Sequence, residues 1–155
     1  MKKILLFLTA PLLALGWQLQ DHEAHKAHGD ERAAVERAVL DYCEGFYEVK
    51  PELIERSVSK ELTKYGYWRS DPSAEYKGTA MNFDQAVALA KRWNTSGEQV
   101  PDGAPKKVEI YEILDQTASV KLTAVWGIDY MLLSKDDGKW KIRHVMWQSH
   151  TDGSH

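Results

Sequence analysis

Cysteine is almost missing from this chain of 155 residues: Cys43 stands alone, so no disulfide closes within it. No His, Asp or Asn obviously partners Cys43 in sequence, and it falls in an amphipathic stretch. It reads as a small buried residue rather than a nucleophile. A surplus of charge is lacking too. The formal net charge is −3, too small and of the wrong sign for a nucleic-acid partner. Nor is there a long hydrophobic run: the apolar stretch Ile4 to Leu15 gives way to polar sequence at Gln18, short of the ~20 residues that span a bilayer. Phenylalanine is scarce at 3, against 6 Trp and 7 Tyr. Trp and Tyr join a large apolar body to a polar tip, which suits a partly wet cavity or an interface as well as a core. The length fits one domain of ~100–150 residues.

What is present begins with an export signal. Met1-Lys2-Lys3 is a basic start, Ile4 to Leu15 an uncharged apolar stretch, and Ala14-Leu15-Gly16 a small-residue cleavage pattern before Trp17. That order marks residues 1–16 as a cleaved signal peptide. No cysteine stands at the cleavage region to take a lipid. The expectation is a bacterial periplasmic or secreted protein with no membrane contact after cleavage. Residues 17–30 read as a flexible polar leader carrying His22, His25 and His28. With Asp21 and Glu23 these make a weak metal set, without the fixed geometry of a selective site. Neither a metal nor a cofactor is expected, and residues 151–155 form a tail.

The domain proper is expected over residues 31–150. From Asp30, Val35, Val39, Tyr42 and Phe46 recur at helical spacing, with Glu31, Arg32, Glu36 and Arg37 opposite. Pro51 opens a short second helix to Val58, with Leu53, Ile54 and Val58 inward. Glu61 to Trp68 is extended and aromatic, and a turn at Ser70 to Ser73 returns Glu75 to Thr79 as its hairpin partner. A third helix follows from Asp84, with Ala86, Val87, Ala90 and Trp93 inward, and Asn94 to Pro105 is loop. Lys107 to Leu114, Ala118 to Ser134 and Lys139 to Ser149 then read as three long strands. Turns at Asp115-Gln116 and Lys135 to Gly138 join them. So long a middle strand must bend, and Gly127 is the place for a kink. Helices followed by a strongly curved antiparallel sheet make an α+β layout.

Four stretches carry a resemblance: AVLDYCEGFYEVKPELIERSV, KYGYWR, FDQAVALAKRWN and TASVKLTAVWGIDYMLLSKDDGKWKIRHVMWQ. The last is the most specific, with an alternating strand, a D-D-G-K-W turn and a return strand ending in Trp. From about Arg32 to Ser149 the chain resembles the NTF2-like superfamily, nearest to its small bacterial SnoaL-like and "putative lumazine-binding" members. The superfamily often has Gly-Asp between its first two helices, where this chain has Val49-Lys50. The resemblance implies a six-stranded curved sheet around three helices, with a cavity at the wide end. It does not imply a reaction, because one cone serves isomerases, dehydratases, cyclases and binders.

Ketosteroid isomerase, a member of that superfamily, needs a carboxylate base where this chain has Tyr65-Gly66-Tyr67, and no Asp or Glu occurs between Leu62 and Ser70. Tyr42 matches that enzyme's first-helix tyrosine. A dehydratase-like His–Asp pair has only His144 and Asp129 as candidates. His144 shares parity with Trp140, Ile142 and Met146, which turns it toward the apolar side. Asp129 shares parity with Val125 and Met131, opposite Trp126 unless a bulge flips the phase. Three functions follow. The first is a binder of a small hydrophobic or aromatic molecule, walled by Tyr42, Phe46, Tyr67, Trp68, Trp93 and Trp126. The second is an isomerase or dehydratase using Asp129 and His144, with Tyr42 as proton donor. The third is an interaction scaffold. Val125, Met131, Leu133, Val145 and Trp147, on the parity opposite the inward set, point to a homodimer through the convex sheet face.

Overall fold

The computed structural model describes residues 12–151, so residues 1–11, the start of the expected signal peptide, and residues 152–155 lie outside the described residues. Two compact units divide the chain, residues 1–31 and residues 32–155. In the first, helix α1 (Leu12–Tyr47) begins well before Asp30. Its backbone is helical through 17–30, the stretch read above as a flexible polar leader. That stretch contains no proline, and Gly29 alone does not stop a helix.

The second unit takes up α1 from Arg32 and continues with α2 (Pro51–Ser57), β1 (Val58–Trp68), β2 (Lys77–Met81), α3 (Phe83–Ala90), β3 (Lys107–Ile113), β4 (Thr117–Ala124), β5 (Gly127–Asp136) and β6 (Lys139–Gln148). One curved, open six-stranded sheet runs β2-β1-β6-β5-β4-β3. This is the expected α+β class with the expected helices. The sheet is mixed rather than antiparallel, however, because β1 and β6 pair in parallel. These strands lie far apart in sequence, so no hairpin dictates their direction.

Each helix has a local cause. Val35, Val39, Tyr42 and Phe46 form the buried stripe of α1. Asp41, also buried, accepts both Arg56 Nε (2.5 Å) and Arg56 Nη2 (2.7 Å), which ties α2 to α1 by a guanidinium fork. Pro51 sits at the first turn of α2, where its missing N–H costs nothing. Asn82 caps α3 two residues ahead of Asp84: it accepts from Gln85 N while Gln85 accepts from Asn82 N. Val49, between α1 and α2, stands at φ 55°, in the left-handed region that favours glycine. A β-branched residue there costs about 1–2 kcal/mol.

The stretch Ala118 to Ser134 is not one bent strand. Ala124 pairs with Gly127 across a two-residue turn, Val125-Trp126, so β4 and β5 form a hairpin. No Asn-Gly or Asp-Gly marks this turn; tertiary hydrogen bonds hold it instead. Val125 N donates to Tyr47 Oη at 2.7 Å, and the Tyr47 hydroxyl donates to Pro105 O at 2.8 Å. His150 Nε2 lies 2.8 Å from Ala124 O. Gly127 takes φ 141°, and a Cβ there would come within 2.0 Å of Gln148 O, so only glycine fits. By contrast, Asp137 (φ 50°) and Gly138 (φ 74°) turn β5 into β6 with the positive-φ pair that a tight hairpin needs.

The hairpin resets the phase of everything after it. Gly127, Asp129, Met131 and Leu133 all face the helices. In β6, Leu132 pairs with His144 but Leu133 with Ile142, which makes Arg143 an inserted bulge residue. Trp140 and Ile142 before the bulge face in, as does Val145 after it, while His144 and Met146 face out. Val125, Met131, Leu133 and Val145, expected on the convex face, are therefore core residues. Burying Met131 and Leu133 is worth about 1.5–3 kcal/mol each, and a one-residue slip would surrender both.

Candidate functional site

The alternation of β1 sends Leu62, Lys64 and Gly66 toward the helices and Thr63, Tyr65 and Tyr67 away from them. Lys64 is thereby a charge on an inward face, only 8% exposed. Such a charge needs a partner. It has two. Lys64 Nζ donates to Tyr42 Oη at 2.5 Å and to Asp129 Oδ1 at 3.0 Å. Asp129, fully buried, also accepts Trp126 Nε1 on Oδ2 at 2.6 Å. The Lys64 ammonium further lies 5.2 Å from the Tyr42 ring centroid and 5.1 Å from that of Trp147, within cation–π range.

Rings close the space above this pair. Trp126 meets Tyr42, Phe46, Tyr47 and Trp93 edge to face, with centroids 5.5–6.1 Å apart. Trp147 forms another wall, lying so close to Gly66 that a Cβ there would meet its Cδ1 at 2.0 Å. Between them, with Leu89 and Met81 at the side, is a cavity of about 100 Å³.

Burial, then the charge of Asp129 and then Cys43, holds the Tyr42 phenol well above its ordinary pKa. It is therefore a hydrogen-bond donor at any physiological pH. Burial likewise pushes the Cys43 thiol up to about 12, which removes it as a nucleophile. Both oxygens of Asp129 are engaged, one by an ammonium and one by an indole. Such a carboxylate orients and neutralises; it is poorly placed to abstract a proton.

Of the residues the sequence singles out, Tyr42, Phe46, Trp93 and Trp126 line this cavity, and Asp129 lies beneath it, bonded to Lys64 and Trp126. Tyr67 faces outward, 44% exposed, because it shares the parity of Thr63 and Tyr65. Trp68 ends β1 in the open, with Lys77 Nζ 5.4 Å from its ring centroid. His144 lies on the other side of the sheet from Asp129, its Nδ1 2.5 Å from Thr63 Oγ1. The bulge at Arg143 is what moves it there. Lys64, Trp147, Leu89 and Met81 have no place in the sequence-based site. The signal for Lys64 is its alternation with Leu62 and Gly66. His22, His25 and His28 have side chains outside those described. Among the described residues no group of three or more His, Cys, Asp or Glu could hold a metal ion, and no helix is long and apolar enough to cross a membrane.

A larger hollow, about 870 Å³, lies on the outer face of the sheet, bordered by Thr63, Tyr65, Tyr130, Leu132, His144 and Met146. Lys64 also borders it, but neither Asp129 nor Tyr42 does, so its size does not make it the chemical centre. It is a broad apolar groove.

The family described as "Putative lumazine-binding" matches residues 30–148, most of the chain and all of its sheet. The chain belongs to this family. Its fold is that of NTF2-like proteins of known structure. An NTF-2 like protein of unknown function from Silicibacter pomeroyi matches with a TM-score of 0.60 at 13% identity, over 79% of this chain and 98% of that one. An NTF2-like protein with a cystatin-like fold from Novosphingobium aromaticivorans matches with 0.57 at 10% identity, over 84% and 89%. A structure named putative scytalone dehydratase, from the same organism, matches with 0.54 at 17% identity, over 81% and 88%. At such identities the likeness is one of fold alone. No curated protein matches the chain. For this member of the "Putative lumazine-binding" family, the NTF2-like cone is thus settled, and function has to be argued from the cavity.

Proposed function

We propose that this NTF2-like domain is exported and holds a small, flat, hydrophobic molecule among its rings without turning it over. One observation carries the reading: the ring-lined cavity stands over a Lys64–Asp129 pair whose carboxylate oxygens are both occupied. A cavity of mostly apolar walls with a few fixed polar groups is what small-molecule sites look like. An isomerase or dehydratase of the kind considered above needs a free base and, in this chain, His144 beside Asp129. The two lie on opposite faces of the sheet. At about 100 Å³ the cavity is well below the ~300–1,000 Å³ of drug-sized sites. An engineered cavity of ~150 Å³ takes benzene, so the guest is about one ring in size, not a steroid.

The test is a titration of single-ring compounds against the protein, followed by tryptophan fluorescence and calorimetry. Trp126→Ala should weaken binding by about 2–4 kcal/mol, the scale of a buried aromatic anchor. Trp68→Ala, at an open strand end, should leave it unchanged. Turnover of any compound that Asp129→Asn abolishes while affinity persists would overturn the binder in favour of an enzyme.

The outer groove supports a second, compatible reading, a homodimer. Tyr65, Tyr130, Leu132 and Met146 are large, apolar and 42–54% exposed on one sheet face. Contiguous apolar surface of this kind marks contacts, and a two-fold pair buries the same patch twice. These residues replace the set expected there, Val125, Met131, Leu133, Val145 and Trp147. Export rests on residues 1–16.

A further inference from the structure

The polar groups around the cavity do not balance. Lys64 offers three N–H donors and spends two, on Tyr42 Oη and Asp129 Oδ1. The indole of Trp126 is spent on Asp129 Oδ2. Trp147 also lines the cavity, and its Nε1 is buried with no hydrogen-bond partner in the protein. Buried indole N–H groups nearly always find a partner. The acceptors, by contrast, each already have a partner: either oxygen of Asp129 receives a donor, and Tyr42 Oη accepts from Lys64. The groups left without one are donors. A guest that satisfies this wall brings an acceptor.

Its charge follows from the pair beneath. Lys64 and Asp129 cancel, so the cavity floor carries no net positive charge to receive an anion. A carboxylate placed there would stand beside the Asp129 carboxylate in a site that excludes water, and like charges repel strongly under those conditions. A neutral oxygen incurs no such repulsion. The position of Trp147 is itself built. Gly66, its parallel neighbour in β1, is the residue whose lack of a side chain lets the indole lie against the strand.

We propose that the cavity recognises its guest through one neutral hydrogen-bond acceptor, a carbonyl or amide oxygen on a single ring, addressed by Trp147 Nε1 and the remaining N–H of Lys64. This rests on the reading of the cavity as a binding site, and the experiment separates the two. Benzamide, α-methylstyrene and benzoate share a ring and a planar branched substituent, and differ in offering a neutral acceptor, none, or an anion. Calorimetry on the full chain should find benzamide about tenfold tighter than α-methylstyrene, the worth of one well-placed hydrogen bond, and benzoate weaker than benzamide. Trp147→Phe, which keeps an aromatic wall but removes the donor, should abolish the preference for benzamide and leave α-methylstyrene where it was. Equal binding of benzamide and α-methylstyrene by the native protein would overturn this inference while leaving the cavity a binding site. Tighter binding of benzoate than of benzamide would overturn its neutrality. Failure of all three to bind would overturn the binding reading itself. Should Trp147→Phe fail to fold, the comparison of the three compounds on native protein decides alone.

Discussion

Removing one partner of the Lys64–Asp129 pair should cost far more than removing both. The charges lie 3.0 Å apart, with side chains 7% and 0% exposed. At an effective dielectric constant of ~20 their attraction is about 5 kcal/mol, against a desolvation cost of similar size. Lys64→Met leaves the Asp129 carboxylate buried with only the Trp126 indole, and Asp129→Asn leaves the ammonium with Tyr42, ring faces and a neutral amide but no counter-charge. Each single change should cost about 3–5 kcal/mol, the usual penalty for an uncompensated buried charge. In a domain stabilised by about 5–15 kcal/mol, that is a large part of the total. The double variant Lys64→Met/Asp129→Asn buries no charge and keeps an acceptor for Trp126 Nε1. It should be less destabilised than the sum of the singles by at least about 2 kcal/mol. Urea unfolding followed by circular dichroism and tryptophan fluorescence measures all four corners of the cycle. Additive singles of under about 1 kcal/mol each would mean that the pair is solvated, and the site built on it would fall with it.

Two further outcomes are expected. Leu132→Asp, on the exposed outer face and outside the core, should fold normally and convert a dimer into a monomer by light scattering. A native protein that scatters as a monomer at micromolar concentration would remove the dimer. Protein recovered from the periplasm of an expressing bacterium should begin near Trp17 on N-terminal sequencing, whereas a start at Met1 would remove the export proposal.

Much of the architecture is legible in the chain because it is locally encoded. The stripe of α1, Pro51 at the start of α2 and Asp137-Gly138 between β5 and β6 each state their structure within a few residues. The Val125-Trp126 turn is not encoded in that way. Its donors and acceptors are Tyr47, Pro105 and His150, remote in sequence, so three consecutive apolar residues, Ala124 to Trp126, read as strand. The bulge at Arg143 is silent for a similar reason: nothing in Lys-Ile-Arg-His-Val announces an extra residue. Half of the cavity wall survives these errors, because Tyr42 and Phe46 come from α1, whose phase is secure, and Trp93 from the turn that follows α3. Tyr67 does not, because the aromatic run Tyr65 to Trp68 alternates and only one of its parities faces in.

The same irregularities assemble the site. The tight turn after β4 brings Asp129 onto the inner face, one residue out of the phase an unbroken strand would give. The bulge in β6 brings Trp147 to the cavity wall and sends His144 out. The parallel pairing of β1 with β6 then sets Lys64 beside Val145 and Gly66 beside Trp147, which places the ammonium and the indole along one edge of the cavity. A regular sheet with this sequence would put His144 inside and Asp129 outside. The turn alone would bring Asp129 and His144 to one face; the bulge at Arg143 separates them, so the folded sheet does not form the dehydratase-like pair. What the irregular sheet brings together is a lysine, a carboxylate, a phenol and two indoles, with the Trp147 indole N–H left without a partner. That unmet donor is a property of the folded cavity, and it makes an acceptor-bearing guest the natural complement of this cone.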